Sequence, residues 1–314
     1  MDRPDGRRAP GGRLIPRIVD RDDLLARCTF PPPGAPLVCG VSGGADSLAL
    51  LVLASAAGCE VTAVHVDHGL RPGSGAEADV VADAAARVGA RFRALTAPVA
   101  PGPNLEARAR AVRHATLGPG AALGHTADDR AETVLLNLLR GAAVEGLAGI
   151  RPGPRHPILA LRRVETAALC AAEDLVAVED PSNRDRSFLR NRVRHEVLPL
   201  LADVAGRDLV PVLARQADLA AEASDHLRRD AADLDVTDAR TLREAPVALA
   251  RVAVREWLRE DDPERHPPDA AAVERVLAVA RLDAAATDVG RGRRVRRSGG
   301  RLSLLPAERS DAVH

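Results

Sequence analysis

Ser42, Gly43, Gly44, Ala45, Asp46 and Ser47 form one short turn between the apolar run Leu37-Val38-Cys39-Gly40-Val41 and the apolar stretch Leu48-Ala49-Leu50-Leu51. Glycines let backbone N–H groups come close to an anion, serine hydroxyls donate, and a helix starting here directs its positive end at the ligand. The turn is therefore suited to phosphate. It is not the lysine-bearing Gly-x4-Gly-Lys-Ser/Thr loop, because the chain has no lysine: its 44 Lys and Arg positions are all arginine. Three further clusters could do chemistry. One is His65-Val66-Asp67-His68-Gly69-Leu70-Arg71, and the second is Gly124-His125-Thr126-Ala127-Asp128-Asp129-Arg130-Ala131-Glu132-Thr133. In a helix Asp129, Glu132 and Thr133 share a face, which makes an acidic pocket. The third is Glu179-Asp180-Pro181-Ser182-Asn183-Arg184-Asp185, followed by Phe188-Leu189-Arg190-Asn191-Arg192-Val193-Arg194. Arg110 and Arg113, three apart on one helix face, suit phosphate or an RNA backbone. Arg190, Asn191 and Arg194 form a second such set, where an arginine could stabilise charge developing on a phosphate.

The elements that must position these groups alternate between short apolar runs and amphipathic helices, the pattern of a parallel α/β sheet. Strands are expected at 36–41, 60–66, 91–96 and 121–124. Helices are expected after Ser47, at 75–89, from an Asn104 cap through 116, and from a Thr126 cap over 128–140. Such sheets gather phosphate-binding and catalytic residues at the carboxyl ends of their strands, where Ser42, Asp67 and His125 fall. After about residue 205 the pattern becomes mostly helical to about 282, with breaks at 235–238 and 262–268 and an alternating basic run at 295–305. The expected organisation is a flexible tail at 1–16, a catalytic α/β domain at 17–205 and a small helical domain at 206–314.

A hydrophobic content of 46% over 314 residues is ample for two cores. Cys28, Cys39, Cys59 and Cys170 include no Cys-x-x-Cys pair, which argues against a zinc site or a disulfide framework and fits a reducing cytosol. No stretch reaches the length of a membrane span, so no membrane partner is expected. Net charge is zero, so nucleic-acid binding would have to come from local patches. One runs from Arg184 to Arg194; the other is Arg291, Arg293, Arg294, Arg296, Arg297 and Arg301, of which Arg293, Arg294, Arg296 and Arg297 are the candidate RNA contacts. With Phe30, Phe92, Phe188 and Trp257 as the whole aromatic complement, base stacking would fall mainly to arginine planes.

Ser-Gly-Gly-x-Asp-Ser resembles the pyrophosphate loop of the N-type ATP pyrophosphatases, the PP-loop superfamily. Together with His-Val-Asp-His-Gly-Leu-Arg, Gly-His-Thr-Ala-Asp-Asp, Glu-Asp-Pro-Ser-Asn and Arg-Asn-x-x-Arg, in that order over residues 36–201, it resembles the tRNA(Ile)-lysidine synthetase family. The resemblance implies an ATP-dependent ligase that adenylates C2 of the wobble cytidine in a CAU anticodon and then lets lysine displace AMP, changing decoding from AUG to AUA. It implies ATP held by residues 42–47 with His65, Asp67 and His125, and Mg²⁺ at Asp46. Asp129 and Glu132 would hold lysine. Asp46, Asp129, Arg190 and Arg194 would be catalytic, and tRNA(Ile) would contact Arg110, Arg113, Arg190, Asn191, Arg194 and the C-terminal arginines. A homodimer is compatible with it. His114 stands where the family usually has Tyr, Arg130 where Gln is common, and Arg155-His156-Pro157-Ile158-Leu159 replaces an Arg-Pro-Leu-Leu run. Two other readings compete. One is another enzyme on the same fold, either a tRNA thiolase, which would need Cys-x-x-Cys pairs that the chain lacks, or a small-molecule amide ligase. A degenerate binding module is opposed by the intact Asp46, Asp129 and Glu132.

Overall fold

The computed structural model describes residues 20–69, 75–99, 102, 105–178, 180–262 and 268–306. The expected tail at 1–16, Arg71, Asn104, Glu179 and the side chain of Arg110 lie outside that description.

Four parallel strands, β1 (Pro36–Gly40), β2 (Glu60–Asp67), β3 (Arg91–Thr96) and β4 (Ala122–Leu123), form a sheet in the order β3-β2-β1-β4. Cys39 pairs with Ala63 on one side and with Ala122 on the other, so the carboxyl ends of all the strands open at one edge. The helices of this part are α1 (Arg21–Ala26), α2 (Ala45–Ala56), α3 (Gly75–Arg87), α4 (Leu105–Leu117), α5 (Ala127–Leu139), α6 (Val144–Leu147), α7 (Arg163–Ala172), α8 (Leu189–Arg192) and α9 (Leu198–Ala205). A π-helical turn, Val193–Val197, joins α8 to α9. Every element from α2 to α5 expected from the apolar pattern is present within a few residues. α2 begins before Ser47 rather than after it, because Gly44 takes extended cap geometry (φ −74°, ψ 155°) and leaves Asp46 and Ser47 in the first turn. Its residues Ser47 to Ala54 are all buried, so α2 is the central helix of the core. Leu48, Leu50 and Leu51 pack there with Leu37, Val61, Ile158, Leu161 and Leu169.

The chain divides into two compact units between Asp218 and Leu219, inside the long helix α10 (Val210–Ala232), whereas the change in composition puts the boundary at 205/206. The difference has a packing cause. Val210 is 3% exposed and, with Leu213, joins Ala127 and Ala131 of α5, so the first turns of α10 belong to the α/β unit. The second unit contains α11 (Ala239–Glu244), α12 (Val247–Glu260), α13 (Ala270–Ala280) and an antiparallel sheet of β5 (Ala286–Gly290), β6 (Arg293–Ser298) and β7 (Arg301–Pro306). Val254, Leu258, Val276, Val295 and Leu302 make its core. Among the described residues, no helix is long and apolar enough to cross a membrane.

Candidate active site

The phosphate-type loop leaves β1 and turns at Gly43, whose φ of +82° is left-handed and favours glycine. Ser47 organises the turn: its hydroxyl donates to the Gly44 carbonyl (2.8 Å) and accepts from the Ser42 N–H (3.1 Å), with the Ser42 hydroxyl 3.3 Å away. Gly124 is required for another reason. A Cβ there would meet the Asp46 carbonyl oxygen at 2.7 Å and Ser47 Cα at 2.9 Å, so the end of β4 lies flush against the first turn of α2. His65, 3% exposed, bonds the Val41 carbonyl through Nδ1 (3.0 Å) and buttresses the loop. The Asp67 carboxylate accepts from the Gly69 N–H (2.8 Å) and shapes the turn after β2.

Beside the loop, acids and arginines interlock. The Asp129 Oδ2 atom accepts from the backbone N–H (2.8 Å) and hydroxyl (3.0 Å) of Thr126, which caps α5 and turns Oδ1 outward. That oxygen takes Arg163 Nη2 (3.0 Å) and Arg190 Nη2 (3.1 Å). Glu132, one turn on, receives Arg163 Nη1 on Oε1 (2.9 Å) and Arg190 Nε on Oε2 (3.0 Å), with Arg194 Nε 3.8 Å from Oε1. Asp46 is bonded by the Thr166 hydroxyl and by Arg163 Nε (3.4 Å). The expected acidic pocket is therefore a neutralised lattice of three carboxylates and three guanidinium groups. Burial pushes the Asp129 carboxyl up, but the charges of Arg163 and Arg190 and the Thr126 N–H outweigh it and hold the group below the usual carboxylate range. Asp46 goes the other way: burial dominates the lowering by Thr166 and Arg163, and neighbouring Asp129 adds repulsion.

Arg162, Arg163 and Thr166 were missed in the sequence because they carry no local motif. They open α7, and Arg163 meets Asp46 from 117 residues away. The adjacent acid Asp128 anchors this helix start, accepting from the Arg163 N–H (2.9 Å) and from Arg162 Nε (3.0 Å) and Nη2 (3.2 Å). A pair of like basic residues before an apolar helical pattern is the only signal the sequence offered.

Other expected residues sit elsewhere. His125 is beside the loop, its Nδ1 3.0 Å from Nδ1 of His156, one of the positions departing from the family pattern. Asn191 donates to the Ser182 (2.7 Å) and Asp185 (2.8 Å) carbonyls, so it holds the Pro181–Arg184 turn. Arg113 lies on α4, partly buried. Arg130, the second departure, is 4% exposed and pairs with Asp218 (2.7 Å). The C-terminal arginines are split by the pleat of β6. Arg294 and Arg296 face outward, whereas Arg293 donates to the Leu258 carbonyl and Arg297 to the Val279 carbonyl, with Val295 buried between them. A cavity of about 510 Å³ among Val38, Val64, Leu95 and Leu117 contains none of the site residues.

A family model for the PP-loop domain, ATP_bind_3, matches residues 25–201. The tRNA(Ile)-lysidine synthase of Nocardia farcinica is 46% identical over 244 residues, covering 72% of this chain and 77% of that one. Its counterpart in Rhodococcus erythropolis is 42% identical over 249 residues, covering 72% and 74%. Among solved structures, the U34-tRNA thiolase NcsA from Methanococcus maripaludis, with its 4Fe-4S cluster, superposes with a TM-score of 0.50 at 15% identity over 63% of this chain and 76% of that one, a likeness of fold alone.

Proposed function

Since the chain belongs to the tRNA(Ile)-lysidine synthase family of PP-loop proteins and is an ATP-dependent tRNA-modifying ligase, we propose that it joins lysine to C2 of the wobble cytidine in the CAU anticodon of tRNA(Ile). The C2 carbonyl oxygen attacks the α-phosphorus of ATP and pyrophosphate leaves; the lysine amine then attacks C2, and AMP departs with that oxygen. The product pairs with A, so decoding changes from AUG to AUA. One observation carries this reading: the acid of the phosphate loop, Asp46, the half-buried Asp129 and the buried Glu132 are gathered around one guanidinium at the edge where the strands end.

Within that reading, the loop's N–H groups and hydroxyls hold the pyrophosphate, and Arg190 and Arg194 stabilise charge developing on the α-phosphate. Asp129 and Glu132 hold the lysine ammonium and accept its proton. The donor set also suits Mg²⁺. Asp46 is a carboxylate close enough to Asp129 for their charges to repel, and a hard cation using one or two carboxylates with phosphate oxygens and water relieves such repulsion. Bound there, Mg²⁺ would offset the phosphate charge as pyrophosphate leaves. Arg294 and Arg296 are the tRNA contacts we assign to the second unit, and the setting is the cytosol.

The fold alone would equally admit thiolation. Burial pushes the thiols of Cys28 and Cys170 up to about 11 and that of Cys39 up to about 12, so none of these is a ready thiolate at neutral pH. The deciding test is mass spectrometry of CAU-anticodon tRNA after incubation with ATP, Mg²⁺ and isotope-labelled lysine. A lysine-sized mass gain on the anticodon fragment, with AMP and pyrophosphate released, is the expected result. ADP as the product would refute it.

A further inference from the structure

Arg163 and a lysine ammonium would compete for the same oxygens. Arg163 holds Asp129 Oδ1 and Glu132 Oε1 at 3.0 and 2.9 Å, and its Nε also reaches Asp46. The layering determines what an incoming cation meets. Glu132 lies deepest, its side chain 1% exposed, with Asp129 at 14%; Arg163, Arg190 and Arg194 cover them at 21, 28 and 30%. The charges already balance, three against three. A further ammonium would leave surplus positive charge in a largely desolvated place, which is strongly unfavourable unless a counter-charge arrives with it. A triphosphate is that counter-charge. It also offers Arg163 a bidentate partner that suits a guanidinium better than an ammonium.

The position of Arg163 makes a transfer short. Its contact with Asp46, on the first turn of the helix that follows the phosphate loop, places one end of the guanidinium at the nucleotide side. Its backbone cannot follow, because Asp128 holds its N–H at 2.9 Å and the Ala127 N–H holds the preceding Leu161 carbonyl at 2.9 Å. Only the side chain is left to swing. Burial works against its charge, but Asp129, Glu132 and Asp46 outweigh that and keep Arg163 firmly protonated, so the group moves as a cation.

We propose that Arg163 couples the two half-sites: it occupies the ammonium position on Asp129 and Glu132, and the triphosphate of ATP draws it off, so that lysine binds after nucleotide. This rests on the assignment of Asp129 and Glu132 to lysine. By linkage the coupling is reciprocal, so lysine must tighten nucleotide by the same factor.

The test is calorimetric titration of the full chain with L-lysine, with and without Mg²⁺ and α,β-methylene-ATP, which cannot be cleaved between the α- and β-phosphorus. In the wild type the analogue should strengthen lysine binding by about tenfold or more, within the usual range of coupling between sites. Saturating lysine should strengthen analogue binding equally. In R163Q, lysine should bind without the analogue, the enhancement should fall below about threefold, and the analogue itself should bind more weakly. Equal lysine affinity in the wild type with and without analogue overturns the coupling, whatever the folding of R163Q. So does an R163Q protein with a wild-type melting curve that keeps the full enhancement. If E132Q leaves lysine affinity unchanged in both states, the assignment of the lysine site fails instead. If the wild type binds no lysine even with analogue and tRNA, the ligase reading itself fails.

Discussion

At the scale of single residues, Glu132 is the side chain on which the lysine reading turns. It is buried, and it accepts two guanidinium groups at about 3 Å where bulk water cannot replace them. Glu132→Gln keeps the shape and removes one charge. A charge-assisted contact is worth about 1.5 to 3 kcal/mol, so the KM for lysine should rise by roughly 10- to 150-fold, far more than the KM for ATP changes, and adenylated tRNA should accumulate. Steady-state kinetics with each substrate varied in turn checks this, and equal losses would move Glu132 to the nucleotide side. Asp129 offers a second measurement, of stability. Its folded pKa is depressed, so the stabilisation is fully present above the ordinary aspartate range near 4 and is lost as pH falls through the lower folded value. Asp129→Asn should therefore cost roughly 3 kcal/mol at pH 7, the scale of breaking a buried pair, and progressively less toward pH 3. Urea titrations across that range would show the two proteins converging. A gap that stays constant with pH would mean that the cost is loss of the Thr126 cap rather than of charge.

At the scale of elements, the geometry of the candidate site depends on three helix starts meeting at one strand edge: α2 after β1, α5 after β4, and α7. Gly124 sets the first contact and Asp128 the last. Gly124→Ala would put a methyl group at 2.7 Å from backbone that has no room to rotate away, so β4 and α2 must separate. Overpacking of this kind costs about 1 to 3 kcal/mol, and the displaced first turn should weaken ATP binding by about tenfold. Thermal melts and nucleotide titrations read the two effects separately; unaltered ATP affinity would show that the loop is positioned without β4. The strands and the helices α2 to α5 were legible because their apolar periods of two and of three to four residues are local properties. The stretch after α5 was not legible to the same degree. α6 and α8 have four residues each, too short to show a period, and the junction from α8 to α9 passes through a π turn.

At the scale of the whole molecule, the question is which of 44 arginines hold RNA in a chain of zero net charge. In β6 the alternation sorts the candidates: Arg294 and Arg296 face solvent on the strand's outer side, and Arg293 and Arg297 are tied to helix carbonyls. Reversing the charge of Arg294 and Arg296 together should weaken tRNA binding and lower the log–log salt slope by about 0.7 to 0.9 for each phosphate no longer neutralised, with ATP affinity unchanged. Replacing Arg293 and Arg297 should instead lower the melting temperature. Filter binding across a salt series distinguishes these outcomes, and wild-type slope in the Arg294/Arg296 variant would place the RNA on the α/β unit alone.

Contiguous residues were enough to specify the phosphate loop, the parallel sheet, the helix that carries Asp129 and Glu132, and the family, because in each the spacing along the chain matches a local geometry. How the charges pair is a product of folding. Asp46, Glu132 and Arg163 come from three separate segments, and whether an acid is open or neutralised depends on which cation packing brings within about 3 Å. Arginine is also the chain's single cationic type apart from histidine, so residue identity could not tell a site arginine from a capping or surface one. Burial, helix starts and the pleat of a strand make that distinction, and those exist only once the chain has folded.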